Sequence, residues 1–139
     1  MKNRFDHARG WFLKAESDLI TVKRMLEGGG PYDTACFHTQ QAVERYLKGF
    51  LAFKEEPIPH THNLEELYRL CIVSAPVWLF TEVDLAELTP YAVQLHYDFE
   101  FWPDRTTTEH ALYLAEQVRT AILAAIPKEA HPRVKQQEP

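Results

Sequence analysis

What this chain lacks narrows the reading before any motif is considered. No run approaches the roughly 18 consecutive apolar residues of a membrane span. The opening MKNRFDHARG has no apolar stretch of the secretory kind, so the expected location is the cytoplasm, with no membrane contact. Only two cysteines occur, Cys36 and Cys71, both inside apolar helical stretches and with no second cysteine at metal or redox spacing. They are expected to be buried reduced thiols. There is no repeat or low-complexity tract, and almost no strand-like alternation. A glycine-rich phosphate loop and a G-x-S-x-G elbow are also missing, because Gly28-Gly29-Gly30 precedes a proline instead of linking a strand to a helix. His60 and His62 form an H-x-H without complementary ligands, and no histidine has a glutamate three residues earlier. No metal site or cofactor is therefore expected. A net charge of −5 argues against broad affinity for a nucleic-acid backbone while leaving room for a local basic patch.

What is present is a chain of 139 residues, 45% hydrophobic and 25% charged, the balance of one globular domain. Apolar residues recur every three or four positions. Trp11, Phe12, Ala15, Leu19, Val22 and Leu26 predict a first long helix stopped by the glycine run. A second helix is entered through Pro31 and Asp33 and runs to about Lys54. The proline-rich EEPIPHTH forms a loop. Asn63 with Glu66 then starts a third helix through Leu64, Leu67 and Leu70. Thr81 with Asp84 suggests a fourth, interrupted near Pro90, and Thr106 with Glu109 caps the last, along Ala111, Leu114, Ala115, Val118, Ile122 and Ala125. The expected fold is all-α, an up-and-down bundle of four to five helices over residues 1–127, with 128–139 a flexible tail.

The second helix raises the functional question. On a helical wheel Ala35, Cys36, Ala42, Val43, Tyr46, Leu47 and Phe50 share one arc, and His38, Gln41, Glu44, Arg45 and Lys48 fall opposite. The bland reading is a solvated face carrying a Glu44–Lys48 ion pair one turn apart. The sharper reading is a contact surface for a subunit or a phosphate-bearing ligand, in which Lys48 reaches an anion and Glu44 holds it when the site is empty. Phe37 and Leu51 lie on or beside this polar arc. Together with the aromatics of FEFWP they exceed what one small core needs, which predicts a homodimer. His62, just before the Asn63 cap, is expected to close its loop through a hydrogen bond.

ACFHTQQAVERYLKGFL followed by HTHNLEELY resembles the HEPN domain family, whose second helix commonly reads FHxQQAxEKxLK and whose third opens THxL. The resemblance extends to Trp11, Ala15, Asp18 and Leu19 in a W…A…DL spacing, and to LTPYAVQLHYD, covering about residues 8–125. It implies a small helical bundle, usually homodimeric, associated with minimal nucleotidyltransferases and in some members with toxin–antitoxin pairs. Some members are inferred nucleotide binders and others toxin-like ribonucleases. It marks His38, Gln41, Glu44, Arg45, Lys48 and His62 as candidate ligand- or partner-binding residues.

The ribonuclease branch uses an Arg-x4-6-His motif, in which histidine moves protons and arginine holds phosphate. The one formal match is Arg105-TTTE-His110. With Thr106 as N-cap, Arg105 and His110 would occupy N′ and N4 and meet across the helix start, either as a catalytic pair acting on RNA or as local packing. The family's Arg-Tyr-Pro segment aligns with His96-Tyr97-Asp98, so His96 stands where an arginine is usual. The leading expectation is a non-catalytic binding module, and the alternative is a metal-independent endoribonuclease using Arg105 and His110, or His96, at a dimer cleft.

Overall fold

The computed structural model describes residues 3–76, 78 and 80–133. Six α-helices occur among them: α1 (Arg4–Glu27), α2 (Tyr32–Phe53), α3 (Leu64–Ile72), α4 (Glu82–Ala86), α5 (Tyr91–Tyr97) and α6 (Arg105–Ala124), followed by a 3-10 turn at Lys128–Ala130. No strand occurs among the described residues. The expected fourth helix is two short ones split at Pro90, where the missing N–H ends the ladder of α4.

Local chemistry sets the boundaries. Asn3 and Asp6 exchange hydrogen bonds as a capping box at the start of α1. At its end the Gly30 N–H reaches the Met25 carbonyl (2.8 Å) and the Gly29 N–H that of Leu26 (3.3 Å). Gly29 takes φ +81°, where a side chain would be strained. The Asn63 side chain accepts from the Glu66 N–H at 2.9 Å and starts α3. For α6 the cap differs from the expected Thr106. Asp104 is the N-cap, accepting from the Thr107 N–H at 2.8 Å, and the helix begins at Arg105. Aspartate caps at least as well as threonine, and starting here also lets the Thr108 hydroxyl donate to the Asp104 carbonyl (2.9 Å).

Helix α2 is the axis of the molecule. It packs against α1, α3, α5 and α6, and fifteen of its 22 residues are buried. Phe12, Tyr46, Leu47, Phe50, Leu64, Leu67, Phe80 and Ile122 belong to one continuous core, and Val22, Leu26 and Ala35 form a smaller cluster near the start of α2. Gly49 brings α1 and α2 together, since a Cβ there would lie 2.4 Å from the Phe12 ring. Two expected seam positions change. Trp11 is only half-buried, and on α3 Cys71 is buried while Leu70 is exposed. Both cysteines are free and buried, and burial pushes the Cys71 thiol up to about 12.

The chain after α6 folds back. Ala130 is buried, the Arg9 guanidinium donates to the Glu129 carbonyl, and His131 Nε2 lies 2.7 Å from the Leu123 carbonyl. Of the tail expected to be flexible, residues 128–131 make these contacts with the bundle, and 134–139 lie outside the described residues.

Candidate functional site

The polar arc of α2 is only partly solvated, because it closes two buried carboxylates. Asp18, on the α1 face turned toward α2, is 5% exposed, with His38 Nδ1 at 2.9 Å and Arg45 Nη1 at 2.7 Å. His38 and Arg45 are seven residues apart, two turns of one face, so a single aspartate takes one from each turn. Glu44 is 5% and Lys48 7% exposed, and their charged groups pair at 3.0 Å. His62 Nδ1 reaches the same Glu44 carboxylate at 2.8 Å, and Gln40 Nε2 donates to it at 3.2 Å and to the His62 carbonyl at 3.0 Å. Gln41 donates to the Gln40 side chain at 3.2 Å, and the Lys48 ammonium sits 5.8 Å from the centre of the Trp11 ring. The expected loop closure by His62 is present, and it anchors the 54–63 loop to α2.

The Glu44–Lys48 pair is the arrangement expected of that site when it is empty. Lys48 is committed to Glu44, whereas His38 and Arg45 keep about 31% of their side chains exposed and His62 68%. Leu51 is 1% exposed and Phe37 half-buried, its ring 5.3 Å from that of His96, so neither supplies the exposed apolar surface expected of it. With its Nδ1 turned to a carboxylate, each of His38 and His62 has its ring orientation fixed and its Nε2 on the other side. Among the described residues no side-chain hydroxyl or thiol is hydrogen-bonded to either ring.

The residues of the Arg-x4-His match are held apart. As N1 and N6 of α6 they are about 140° apart around the helix, which removes the N′ and N4 geometry. Arg105 donates from Nη1 to the Leu26 carbonyl at 2.8 Å and from Nε to Glu109 at 3.3 Å. His110 Nε2 instead lies 3.0 Å from Glu87, just past α4. His96, exposed on α5, meets the Phe37 ring. Arg105 thus fastens α6 to the end of α1, and His110 fastens it to the α4–α5 connection.

Two features escape the sequence reading. Glu16 accepts from Arg119 Nε (2.6 Å) and Nη2 (3.0 Å) and from the Tyr46 hydroxyl, joining α1, α2 and α6. Burial raises its carboxyl, but the Arg119 and Tyr46 hydrogen bonds with the Arg119 charge outweigh this and hold it below the ordinary value. The second is the turn after α5. Tyr97, Phe99 and Trp102 are 78%, 84% and 75% exposed, although the turn is tied by Phe101 N–H to the Asp98 carbonyl (3.1 Å), Glu100 N–H to Asp98 Oδ1 (3.0 Å) and Trp102 Nε1 to the Phe99 carbonyl (3.0 Å). FEFWP signals an aromatic excess, and nothing in it indicates which ring turns inward. That ring is Phe101, 5.4 Å from Tyr91.

With this helical frame in view, the HEPN domain family model matches residues 8–126. The chain belongs to the HEPN domain family. The HEPN bundle seen here is similar to the crystal structure of TT1696 from Thermus thermophilus, with a TM-score of 0.77 and 24% identity over 86% of this chain and 98% of that one. It is also similar to ST0689, an archaeal HEPN homologue, with a TM-score of 0.64 and 20% identity over 89% of this chain and 98% of that one. At these identities the likeness concerns the fold. A search of curated proteins gave no match. No helix among the described residues of this HEPN chain is long and apolar enough to cross a membrane.

Proposed function

We propose that this HEPN protein is a non-catalytic binding subunit of the cytoplasm, the helical partner of a minimal nucleotidyltransferase in a pair of the toxin–antitoxin type. The state of its cations carries this reading. Lys48 and Arg45 are paired with buried carboxylates, and Arg105 and His110 are fastened to different elements. The endoribonuclease alternative needs an arginine and a histidine converging on one phosphate, and within one chain Arg105 and His110 do not converge. What stays accessible suits recognition instead, namely the half-exposed edges of His38, Gln41 and Arg45 with the exposed His62, at which a nucleotide phosphate could be met by Arg45. Leu13 and Ile20, two turns apart on α1, and Ile72 and Val73 at the end of α3 leave apolar area outside the core, which supports pairing with a second copy.

Calorimetric titration with a minimal nucleotidyltransferase and with nucleotides, beside an RNA-cleavage assay in chelator, tests the reading. Complex formation without cleavage is the expected result. Metal-free cleavage abolished by His110→Ala would replace it with the endoribonuclease alternative through Arg105, His110 or His96.

A further inference from the structure

The segment between α5 and α6 alternates rings and acids: Tyr97, Asp98, Phe99, Glu100, Phe101, Trp102 and, after Pro103, Asp104. Soluble proteins seldom leave three large rings in six residues more than 70% exposed, as Tyr97, Phe99 and Trp102 are here. Greasy segments that stay exposed are commonly mobile. This one is fixed by three internal hydrogen bonds and by the packing of Phe101 on Tyr91. A partner would therefore lose little of its binding energy to ordering the turn. Tryptophan and tyrosine are also the side chains that most often dominate binding energy at interfaces.

The charges select the occupant. Asp98, Glu100 and Asp104 are exposed among the rings, and the nearest arginine in sequence, Arg105, is already engaged with the Leu26 carbonyl and Glu109. Nucleic-acid phosphates and anionic membranes would be repelled. A second copy meeting this turn with its own turn across a two-fold axis would bring two sets of three carboxylates together. We infer that the 97–104 turn is a docking element for a protein segment that alternates Arg or Lys with apolar residues. Its cations would lie against the ring faces and carboxylates, and its apolar side chains would cover Phe99 and Trp102. This names the chemistry of the partner and rests on the binding-subunit reading.

The test uses the full chain labelled with nitrogen-15, whose three tryptophans give separate indole N–H signals. A short synthetic peptide alternating arginine and leucine serves as the probe. It should move the Trp102 signal saturably at micromolar concentration and leave Trp11 and Trp78 in place. Asp98→Asn with Glu100→Gln should weaken binding about tenfold, equivalent to about 1.4 kcal/mol. Phe99→Ser, which keeps the net charge, should weaken it at least as much, separating ring recognition from general attraction to an acidic protein. Four results would overturn the inference: an unmoved Trp102 signal, equal binding of the same peptide with glutamate for arginine, equal response to an RNA oligonucleotide or anionic vesicles, or a halved mass of the Phe99→Ser protein in light scattering. A positive peptide result with no nucleotidyltransferase complex would remove only the proposed function. A nucleotidyltransferase complex with no peptide effect would remove only this inference.

Discussion

The α1–α2 seam buries three charged side chains, Asp18, Glu44 and Lys48, while the turn after α5 exposes three rings that a core would welcome. Both depart from the ordinary partition of polar and apolar residues, in opposite directions, and the physical accounts differ. In the seam every buried carboxylate has at least two donors, so its charge is compensated inside the protein and the arrangement is complete as it stands. In the turn the backbone is satisfied but the ring faces are not, so the arrangement is complete only when something covers it. Substitutions in the seam should therefore show in stability, and substitutions in the turn should show in binding.

The largest expected effect follows from breaking the seam at one end. Glu44→Ala leaves the Lys48 ammonium buried without its carboxylate and frees His62 and Gln40, so urea denaturation should show a loss of about 3 kcal/mol. Replacing both partners, Glu44→Leu with Lys48→Met, removes the charge along with its counter-charge and should recover all but about 1 kcal/mol. A double variant no better than Glu44→Ala would mean that the pair itself, and not the orphaned charge, is what the fold needs. Next in size is Gly49→Ala. Its new methyl would meet the fully buried Phe12 ring, at a cost of about 2 kcal/mol despite the better helix propensity of alanine.

These two sites also show how far a single sequence reaches. Helical spacing identifies the long helices, because Leu19, Val22, Tyr46, Leu47, Val118 and Ile122 carry a period of three to four, and the caps Asn63 and Thr81 mark the starts of the short α3 and α4. The wheel fails on α2 for a definite reason. It assumes that the face opposite the core meets water, and on a central helix touched by α1, α3, α5 and α6 that face is largely covered, Glu44 and Lys48 being buried. The partners of its polar residues, Asp18 and His62, lie 18 to 27 positions away, beyond any periodicity. The cap of α6 is ambiguous locally, with Asp104 and Thr106 each followed by a plausible first turn. The choice between them decides whether Arg105 and His110 can meet.

A third, milder effect concerns Glu16. Its folded carboxyl lies below the ordinary 4.5, so the ionised form contributes stability that is present above that value and is lost as pH falls through the folded value. Arg119 is 40% exposed and partly screened, so Glu16→Gln should cost about 1 kcal/mol at neutral pH. The stability difference between wild type and variant should narrow as the solution is acidified below about pH 4.5. A difference that stays constant down to acid pH would assign the effect to the shape of the side chain and not to its charge.

The smallest stability effect is the most telling for function. The Phe99 ring is 84% exposed, and the hydrogen bond it supports uses its backbone carbonyl, which serine supplies equally well. Phe99→Ser should therefore change unfolding free energy by no more than about 0.5 kcal/mol, in either direction. It also removes apolar surface from solution, so solubility should rise and not fall. If the turn is complete only when covered, the same variant should lose a partner that Glu44→Leu with Lys48→Met retains, since the seam residues stay inside the bundle. A clear loss of stability in Phe99→Ser would instead mean that the ring is already covered within the protein, and the contrast between seam and turn would vanish.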